Sequence, residues 1–452
     1  MQISNDTICA MATPAGGAIG VIRLSGPDSI IITDRIFHAM SGKSLLQAKP
    51  NTLHYGTLND SEGTPLDDVL ISVFRAPHSY TGEDSIEISC HGSRYVLQQV
   101  LHTVIQQGAR QARPGEYTER AFLNGKMDLS QAEAVADLVS ASNRASHQMA
   151  LSQLKGHFSG ELSQLRSQLL KMTSLLELEL DFSDHEDLEF AKREDLLELA
   201  ERIDKRITDL AHSFQTGKAL KEGIPVAIIG KTNVGKSTLL NQLLHEDRAI
   251  VSDIHGTTRD VIEDTTDIHG ITFRFIDTAG IRHTQDTVEQ LGIERTYQKM
   301  EEATIILWLV DEPPTQGEIE DVRKRTEKKK LIVILNKIDK NDKQDMLVPH
   351  LSISAKYGKN LEALEEAIYQ SANISEITEN DVIITNARHY ESLIHAHDSI
   401  SRVIQGLHQG LSGDLLSEDL RICLEQLGEI TGGQICSQEV LNNIFSHFCI
   451  GK

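Results

Sequence analysis

An α/β domain with a mostly parallel sheet, inserted into a helical bundle and preceded by an α+β domain, is the architecture this sequence predicts. Three observations predict it. An apolar run, Ile224-Pro225-Val226-Ala227-Ile228-Ile229, stops at Gly230 and is followed after four residues by Gly235-Lys236-Ser237. Further apolar runs end in polar motifs at 272–276, 331–335 and 351–353. Helical spacing of apolar residues stands on both sides of this block, as expected for a guest domain whose termini lie close together. The domain scheme is then 1–118, N-terminal; 119–217, helical, first part; 218–378, α/β; and 379–452, helical, second part.

Composition sets the frame. A chain of 452 residues has room for two to four domains. Its 39% hydrophobic and 24% charged content is that of a globular protein. No apolar run approaches the ~18 residues that cross a bilayer. Met1 to Asp6 shows no basic segment leading into an apolar one, so no secretory signal is expected. Five cysteines without close pairing fit reduced thiols in a cytoplasm. The net charge of −22 argues against a protein that binds nucleic acid mainly through its own surface.

In chain order, Gly16 to Pro27 reads as a glycine-punctuated strand and turn, and Ser85 to Gly92 alternates as a half-buried strand does. Tyr95 to Gln106 reads as helix. No G-x-G-x-x-G opens a helix here, so a dinucleotide fold is not expected. Leu151, Leu154, Phe158, Leu162, Leu165, Leu169, Met172 and Leu176 form one apolar stripe and predict a single long amphipathic helix. Bundle core is the reading preferred over a dimerising coiled coil, because no strict heptad is sustained. A second helix is expected over Leu196 to Phe214, and Gly217 and Gly223 bracket the approach to the α/β domain. Helical spacing resumes from about Glu379, with Ile383, Leu393, Ile394, Ile400, Val403 and Ile404. It continues through Leu415, Leu420, Leu424 and Leu427 to a last helix over Val440 to Phe448.

Gly230 to Ser237 is G-x-x-x-x-G-K-S, a phosphate-binding loop. Backbone N–H groups and a helix N-terminus face the anion, Lys236 reaches the β/γ-phosphates, and the Ser237 hydroxyl suits Mg²⁺. Three further blocks turn a nucleotide loop into a guanine-nucleotide site of the Ras-like type. Asp277-Thr278-Ala279-Gly280 offers a carboxylate to hold Mg²⁺ through water and an N–H to the γ-phosphate. Asn336-Lys337-Ile338-Asp339 places a carboxylate against the N1–H and 2-amino donors of guanine, and Ser354-Ala355-Lys356 closes the base pocket. In Gly256-Thr257-Thr258-Arg259-Asp260, Thr258 is the candidate to complete the Mg²⁺ shell when the γ-phosphate is present. Ile281 stands where Ras-type proteins orient water with Gln, so hydrolysis must draw on a metal ion, another residue or a partner. Arg282, Glu289 and Glu294 are the polar candidates nearby.

The chain resembles the MnmE (TrmE) family of tRNA modification GTPases from end to end. The resemblance is carried by Arg23-Leu24-Ser25-Gly26, Thr81-Gly82-Glu83-Asp84, Arg113-Pro114-Gly115-Glu116, Arg120 to Lys126, the 256–260 block, Gly292-Ile293-Glu294-Arg295 and Phe448-Cys449-Ile450-Gly451-Lys452. It implies a homodimer with an N-terminal tetrahydrofolate-binding and dimerisation domain, a helical domain and an inserted G domain. It also implies an FAD-containing partner, MnmG (GidA), and tRNA as substrate. The implied reaction adds an aminomethyl or carboxymethylaminomethyl group to C5 of the wobble uridine, U34. Its one-carbon unit would come from a 5-formyl or methylene tetrahydrofolate.

Carried over by motif, Asn233, Ser252, Ile254 and Thr257 would ligate K⁺, which supplies the positive charge an arginine finger supplies elsewhere. Nucleotide contacts would come from Asn233, Val234, Gly235, Lys236, Ser237, Thr238, Ser252, Thr257, Thr258, Asp277, Thr278, Ala279, Gly280, Asn336, Lys337, Asp339, Ser354, Ala355 and Lys356. Glu289 matches the family's water-positioning glutamate, although Gln290 follows it where Arg is usual. Folate contacts carried over are Arg23, Glu87, Lys126 and Lys452; cations suit the folate tail and a carboxylate suits the pterin donors. Cys449 is implied to take part in modification, whereas Cys423 and Cys436 read as packing residues. Two other readings are weaker. A ribosome-assembly GTPase would carry a basic RNA-binding domain, and a stand-alone folate-dependent transferase would not need the phosphate loop.

Overall fold

A computed structural model of the chain describes residues 6–181, 192–244, 264–276, 301–327, 329–340, 346–374, 378, 381–433, 438–446 and 448–451. The chain divides into two compact units. One gathers Met1–Val139, Gln153–Ile203 and His395–Lys452, and the other gathers Ser140–Ser152 and Asp204–Ile394.

The first unit begins with a seven-stranded sheet ordered β3-β4-β5-β6-β2-β1-β7. The strands are β1 (Ile8–Met11), β2 (Ile19–Ser25), β3 (Phe37–Ala39), β4 (Thr52–Asn59), β5 (Pro65–Phe74), β6 (Ser85–His91) and β7 (Arg110–Gln111). All neighbours are antiparallel except β1 and β7. Alternation decides which face is covered. Ile22, Leu24, Ile71, Val73, Ile86 and Ile88 face inward and pack with Ile30 and Ile36 of α1 (Ser29–Ile36) and with Leu97, Val100 and Val104 of α2 (Arg94–Gln106). The strands and helix expected in this region are present.

After the sheet come α3 (Glu116–Leu123) and α4 (Leu129–Ser140). The α3 N-terminus explains the Arg-Pro-Gly-Glu motif. Gly115 has φ 68°, and a Cβ there would lie 2.7 Å from the Phe445 carbonyl, so only glycine lets the chain turn so near that residue. Glu116 is buried. It accepts hydrogen bonds from Arg110 Nη2 at 2.6 Å and Nη1 at 3.0 Å, from the Arg113 N–H at 2.8 Å and from Arg120 Nη2 at 3.1 Å. Arg120, equally buried, also bonds the Asp6 carboxylate at 2.7 Å and Glu83 at 3.2 Å. Burial pushes the Glu116 carboxyl up. The Arg110 and Arg113 hydrogen bonds, with the Arg110 and Arg120 charges, outweigh that and hold it below its ordinary value.

The apolar stripe expected as one helix forms two: α5 (Arg144–Leu154) and α6 (His157–Asp181). Gly156, at φ 84°, stands in the left-handed conformation that breaks the helix while leaving the spacing of the stripe intact. Leu162, Leu165, Leu169, Met172 and Leu176 of α6 are buried, and α6 packs on α12 (Gly413–Thr431) within the same unit, as a bundle does. The second helix, α7 (Arg193–Glu222), is longer than expected. Gly217 lies inside it rather than marking a boundary. A Cβ at Gly217 would come 2.1 Å from the Ile384 carbonyl, so its glycine serves close packing, while Gly223, at φ 89°, follows the end of the helix. The helix after the α/β domain, α11 (Ala387–Gln409), starts past Ile383, and the last, α13, runs Gln438–Ser446.

The second unit holds a six-stranded sheet ordered β13-β12-β11-β8-β10-β9: β8 (Ile224–Ile229), β9 (Asp264–Ile268), β10 (Ile271–Phe275), β11 (Ile305–Val310), β12 (Lys330–Leu335) and β13 (Leu351–Ser352). Only β9 runs antiparallel to its neighbour. Helices α8 (Lys236–Leu244), α9 (Gln316–Arg325) and α10 (Leu361–Ala372) follow strands. Central strands buried on both faces read as continuous apolar runs, which is why they were visible without alternation. Among the described residues, no helix is long and apolar enough to cross a membrane.

Removing one partner from the Glu116 network leaves a charge buried and unpaired. Glu116→Gln and Arg120→Met are each expected to lower stability by about 3–5 kcal/mol, measured by urea unfolding. Because the folded Glu116 carboxyl is depressed, its contribution is present above the unfolded value (~4.3) and is lost as pH falls through the folded one. The gap between wild type and Glu116→Gln should therefore close in acid.

A candidate guanine-nucleotide site and an Arg–Glu pair on the N-terminal sheet

Ligands of open α/β sheets sit beyond the carboxyl ends of the strands, and there the second unit gathers its motifs. β8 ends at Ile229 and the phosphate loop follows. Gly230 has φ 148°, and a Cβ there would lie 2.2 Å from the Leu309 carbonyl on β11; Gly235 has φ 104°, and its Cβ would lie 2.4 Å from Asn336 Nδ2. Both glycines are required by close approach as well as by backbone conformation. Asn233 is left-handed at φ 65°. α8 then opens at Lys236, directing its N-terminus into the loop.

A loop that turns its N–H groups toward an anion leaves its carbonyls to the protein. Lys236 Nζ donates to the Gly230 carbonyl and, at 2.8 Å, to that of Lys231. Asn336 Nδ2 donates to the Val234 carbonyl at 2.8 Å, and Lys337 Nζ donates to that of Asn233 at 2.7 Å. Asn336, buried at the end of β12, also accepts the Ala355 N–H through Oδ1 at 2.9 Å. Ser354 Oγ donates to Asp339 Oδ1 at 2.6 Å. That hydrogen bond holds the Asp339 carboxyl below its ordinary value and keeps it an acceptor. The phosphate loop, the Asn336–Asp339 block and the Ser354–Lys356 block thus form one hydrogen-bonded constellation, as the sequence implies. Ser237 and Thr238 follow Lys236 on the first turn of α8.

Two acidic residues here were not singled out from sequence. Asp311, just past β11, pairs with Lys337 Nζ at 2.7 Å. Glu318 pairs with Lys231 of the phosphate loop at 2.7 Å while capping α9, where it accepts the Thr315 N–H at 2.9 Å. That hydrogen bond and charge raise the Lys231 ammonium and depress the Glu318 carboxyl. The capping box Thr315-x-x-Glu318 was a readable signal, but its second partner was not. Ser252, Ile254, Thr257, Thr258, Asp277, Thr278, Ala279, Gly280, Ile281, Glu289 and Lys452 lie outside the described residues.

On the N-terminal sheet, Arg23 of β2 and Glu87 of β6 are directly paired in register, and Arg23 Nη2 meets Glu87 Oε1 at 2.7 Å. The Arg23 guanidinium lies 5.8 Å from the Tyr80 ring centre and 5.7 Å from that of Tyr117, and Tyr117 Oη donates to the Arg23 carbonyl at 2.8 Å. Arg23 Nη1 also reaches the Gly451 carbonyl at 3.4 Å. Gly451 is left-handed at φ 98°, and a Cβ there would lie 2.5 Å from the Met11 carbonyl, so the C-terminal segment can lie against β1 only with glycine. Cys449 is exposed, and its carbonyl accepts the Gly115 N–H at 3.4 Å. Lys126 is not in the ion pair; its Nζ donates to the Pro77 carbonyl at 2.9 Å, in the loop that carries Tyr80. Cys423 is buried packing, as expected, with Sγ 3.5 Å from the Ala396 carbonyl; Cys436 lies outside the described residues. Burial pushes the thiols of Cys9 and Cys90 up to about 12 and about 11, which leaves both unreactive.

Asn336 makes two buried hydrogen bonds that join phosphate loop to base loop. Asn336→Ala is expected to raise the Kd for GDP roughly 30- to 150-fold, two bonds at about 1–1.5 kcal/mol each, read by titration with a fluorescent nucleotide.

Comparison with known proteins agrees with this geometry. The model of the MnmE helical domain matches residues 129–449, and that of the GTP-binding protein TrmE N-terminus matches residues 7–126. The chain is 55% identical to the tRNA modification GTPase MnmE of Phocaeicola vulgatus over 498 aligned residues and to that of Bacteroides thetaiotaomicron over 468, each covering 100% of both chains. It is 48% identical to that of Christiangramia forsetii, covering 99% of each. With both flanking regions matched and relatives aligned from end to end, the chain belongs to the MnmE (TrmE) family of tRNA modification GTPases and is a GTP hydrolase.

Proposed function

We propose that this GTPase is K⁺-dependent and acts with an FAD-containing MnmG-type partner on the wobble uridine, U34, of certain tRNAs. It would add an aminomethyl or carboxymethylaminomethyl group at C5, with the one-carbon unit taken from a 5-formyl or methylene tetrahydrofolate. The observation that carries this reading is the seating of Cys449 to Gly451 beside the Arg23–Glu87 pair. A segment that carries an exposed cysteine thereby meets a cation, its carboxylate partner and the aromatic rings beside them.

The residues fit the groups they would hold. Arg23 offers a guanidinium whose planar fork matches carboxylates, the exposed Tyr80 offers a ring face, and Glu87 offers an acceptor for pterin donors, while the buried Tyr117 holds Arg23 from beneath. Lys126 and Lys452 would add charge for the folate tail. Nucleotide binding with Mg²⁺ goes with the family, and the Ser237 and Thr258 hydroxyls would hold that ion. The K⁺ set, the Asn233 carboxamide, the Ser252 and Thr257 oxygens and the Ile254 carbonyl, consists of neutral oxygen donors, which suits a monovalent cation. A cation there supplies positive charge for the developing β/γ-phosphate charge. Glu289 would position the attacking water, which Ile281 cannot do.

The solvent face of the N-terminal sheet supports a homodimer. Leu53, Tyr55 and Leu70 are 68%, 53% and 46% exposed, and Tyr55 and Leu70 are register partners on β4 and β5. A second copy covering them would remove a contiguous apolar face from water. In this scheme residues 1–118 bind folate and dimerise, 119–217 and 379–452 form the helical domain, and 218–378 form the G domain. G-domain pairing then controls the cycle in the cytoplasm.

GTP hydrolysis is expected to be at least about tenfold faster in K⁺ than in Na⁺, because one preorganised charge is worth that much or more. Asn233→Ala should remove the difference, and equal wild-type rates in the two salts would sink the K⁺ assignment. Nucleoside mass spectrometry of tRNA from cells lacking the protein should show U34 without its C5 substituent; unchanged wobble uridines would overturn the reading.

A further inference from the structure

We propose that Asp311 is a positioning residue for guanine-nucleotide binding, acting through Lys337. The inference rests on the guanine-nucleotide reading of this site. Its basis is the placement of one carboxylate at the exit of β11. The parallel register pairs Val310 with Leu335, and the Asn336 N–H donates to the Val310 carbonyl at 2.7 Å. Asp311 is therefore set beside the Asn336-Lys337 block by the sheet itself. Its Oδ2 stands 2.7 Å from Lys337 Nζ, with both side chains about a third exposed, at 34% and 31%.

Lys337 needs such a partner. It carries a flexible four-carbon stem whose freedom must be given up to hold one geometry. Its backbone is left-handed at φ 62°, a conformation that costs a non-glycine residue energy and persists only where its surroundings over-determine it. The carbonyl that Lys337 Nζ bonds belongs to Asn233, which is left-handed at φ 65°. One of the ammonium's three donors thus ties the unusual backbone of one loop to that of the other, and a second goes to Asp311, which fixes the bridging group. A neutral acceptor at 311 would keep a hydrogen bond and lose the charge that holds the ammonium in place.

The test is fluorescence titration of the full-length protein with a fluorescent GDP analogue in Mg²⁺, paired with steady-state GTP hydrolysis. Asp311→Asn is expected to raise Kd and the KM for GTP by about three- to tenfold, the range for a partly exposed charge-assisted bond, with kcat within about twofold of wild type. Asp311→Glu, which keeps the charge on a longer stem, should recover most of the affinity. In a double-mutant cycle, Asp311→Asn should add little to Lys337→Ala, since both act through one ammonium. Unchanged affinity in Asp311→Asn beside a clear loss in Lys337→Ala would overturn the proposal, as would full additivity or failure of Asp311→Glu to recover binding. An unchanged Kd in Lys337→Ala would remove the reading of the site itself.

Discussion

The carbonyl oxygens of the phosphate loop are the constraint on which the nucleotide half of this protein depends. The loop must aim its N–H groups at an anion, and every N–H turned inward turns a carbonyl elsewhere. Each carbonyl needs a donor, which must come from strand ends that lie alongside or from the loop's own side chains. Asn336 and Lys337, at the end of β12, supply two of them, and Lys236 supplies two from within. The sheet order meets this demand. β11 must stand between β8 and β12 so that Leu309 closes over Gly230 and the β12 exit arrives opposite Val234. One asparagine then joins the phosphate loop, through its amide nitrogen, to the Ser354–Lys356 block, through its oxygen.

The first unit solves a different problem: how to seat a chain end on a sheet. The Arg-Pro-Gly-Glu turn brings a left-handed glycine under Phe445 and sends Glu116 inward. An ionised carboxylate so deeply buried is costly unless its lone pairs are filled, and Arg110, Arg120 and a backbone N–H fill them. That network fixes the start of α3, and Gly115 in turn donates to the Cys449 carbonyl. The terminal thiol is thus placed by a chain of contacts that begins more than three hundred residues upstream in sequence. Arg23 completes it from the sheet, through Glu87 on one side and Gly451 on the other.

The nucleotide site was largely legible because its spacing is local. Glycines, lysine and serine of the phosphate loop must fall at fixed intervals, and the other blocks must end buried strands; three of the four expected blocks meet in the fold, while Asp277 to Gly280 lies outside the described residues. The bundle was legible as a stripe but not as two helices, since periodicity survives a one-glycine break such as Gly156. Gly217 misled in the opposite sense, because a glycine needed for close approach to Ile384 looks the same in sequence as one that ends a helix. The Asp311–Lys337 and Lys231–Glu318 pairs were illegible for a plainer reason. Charged residues abound in a chain with net charge −22, and only sheet register decides which of them meet.

Residue types at the two sites also divide the chemistry. The phosphate loop is held by lysines and an asparagine, with carboxylates fixing the lysines. The described cysteines Cys9, Cys90 and Cys423 are buried, and burial raises the first two thiols, so neither offers a thiolate near neutral pH. Cys449 alone among the described cysteines is exposed, on the segment whose Gly451 carbonyl meets Arg23 of the Arg23–Glu87 pair. An exposed thiol is the form in which a cysteine can titrate and react, whereas a buried one packs as a small apolar residue.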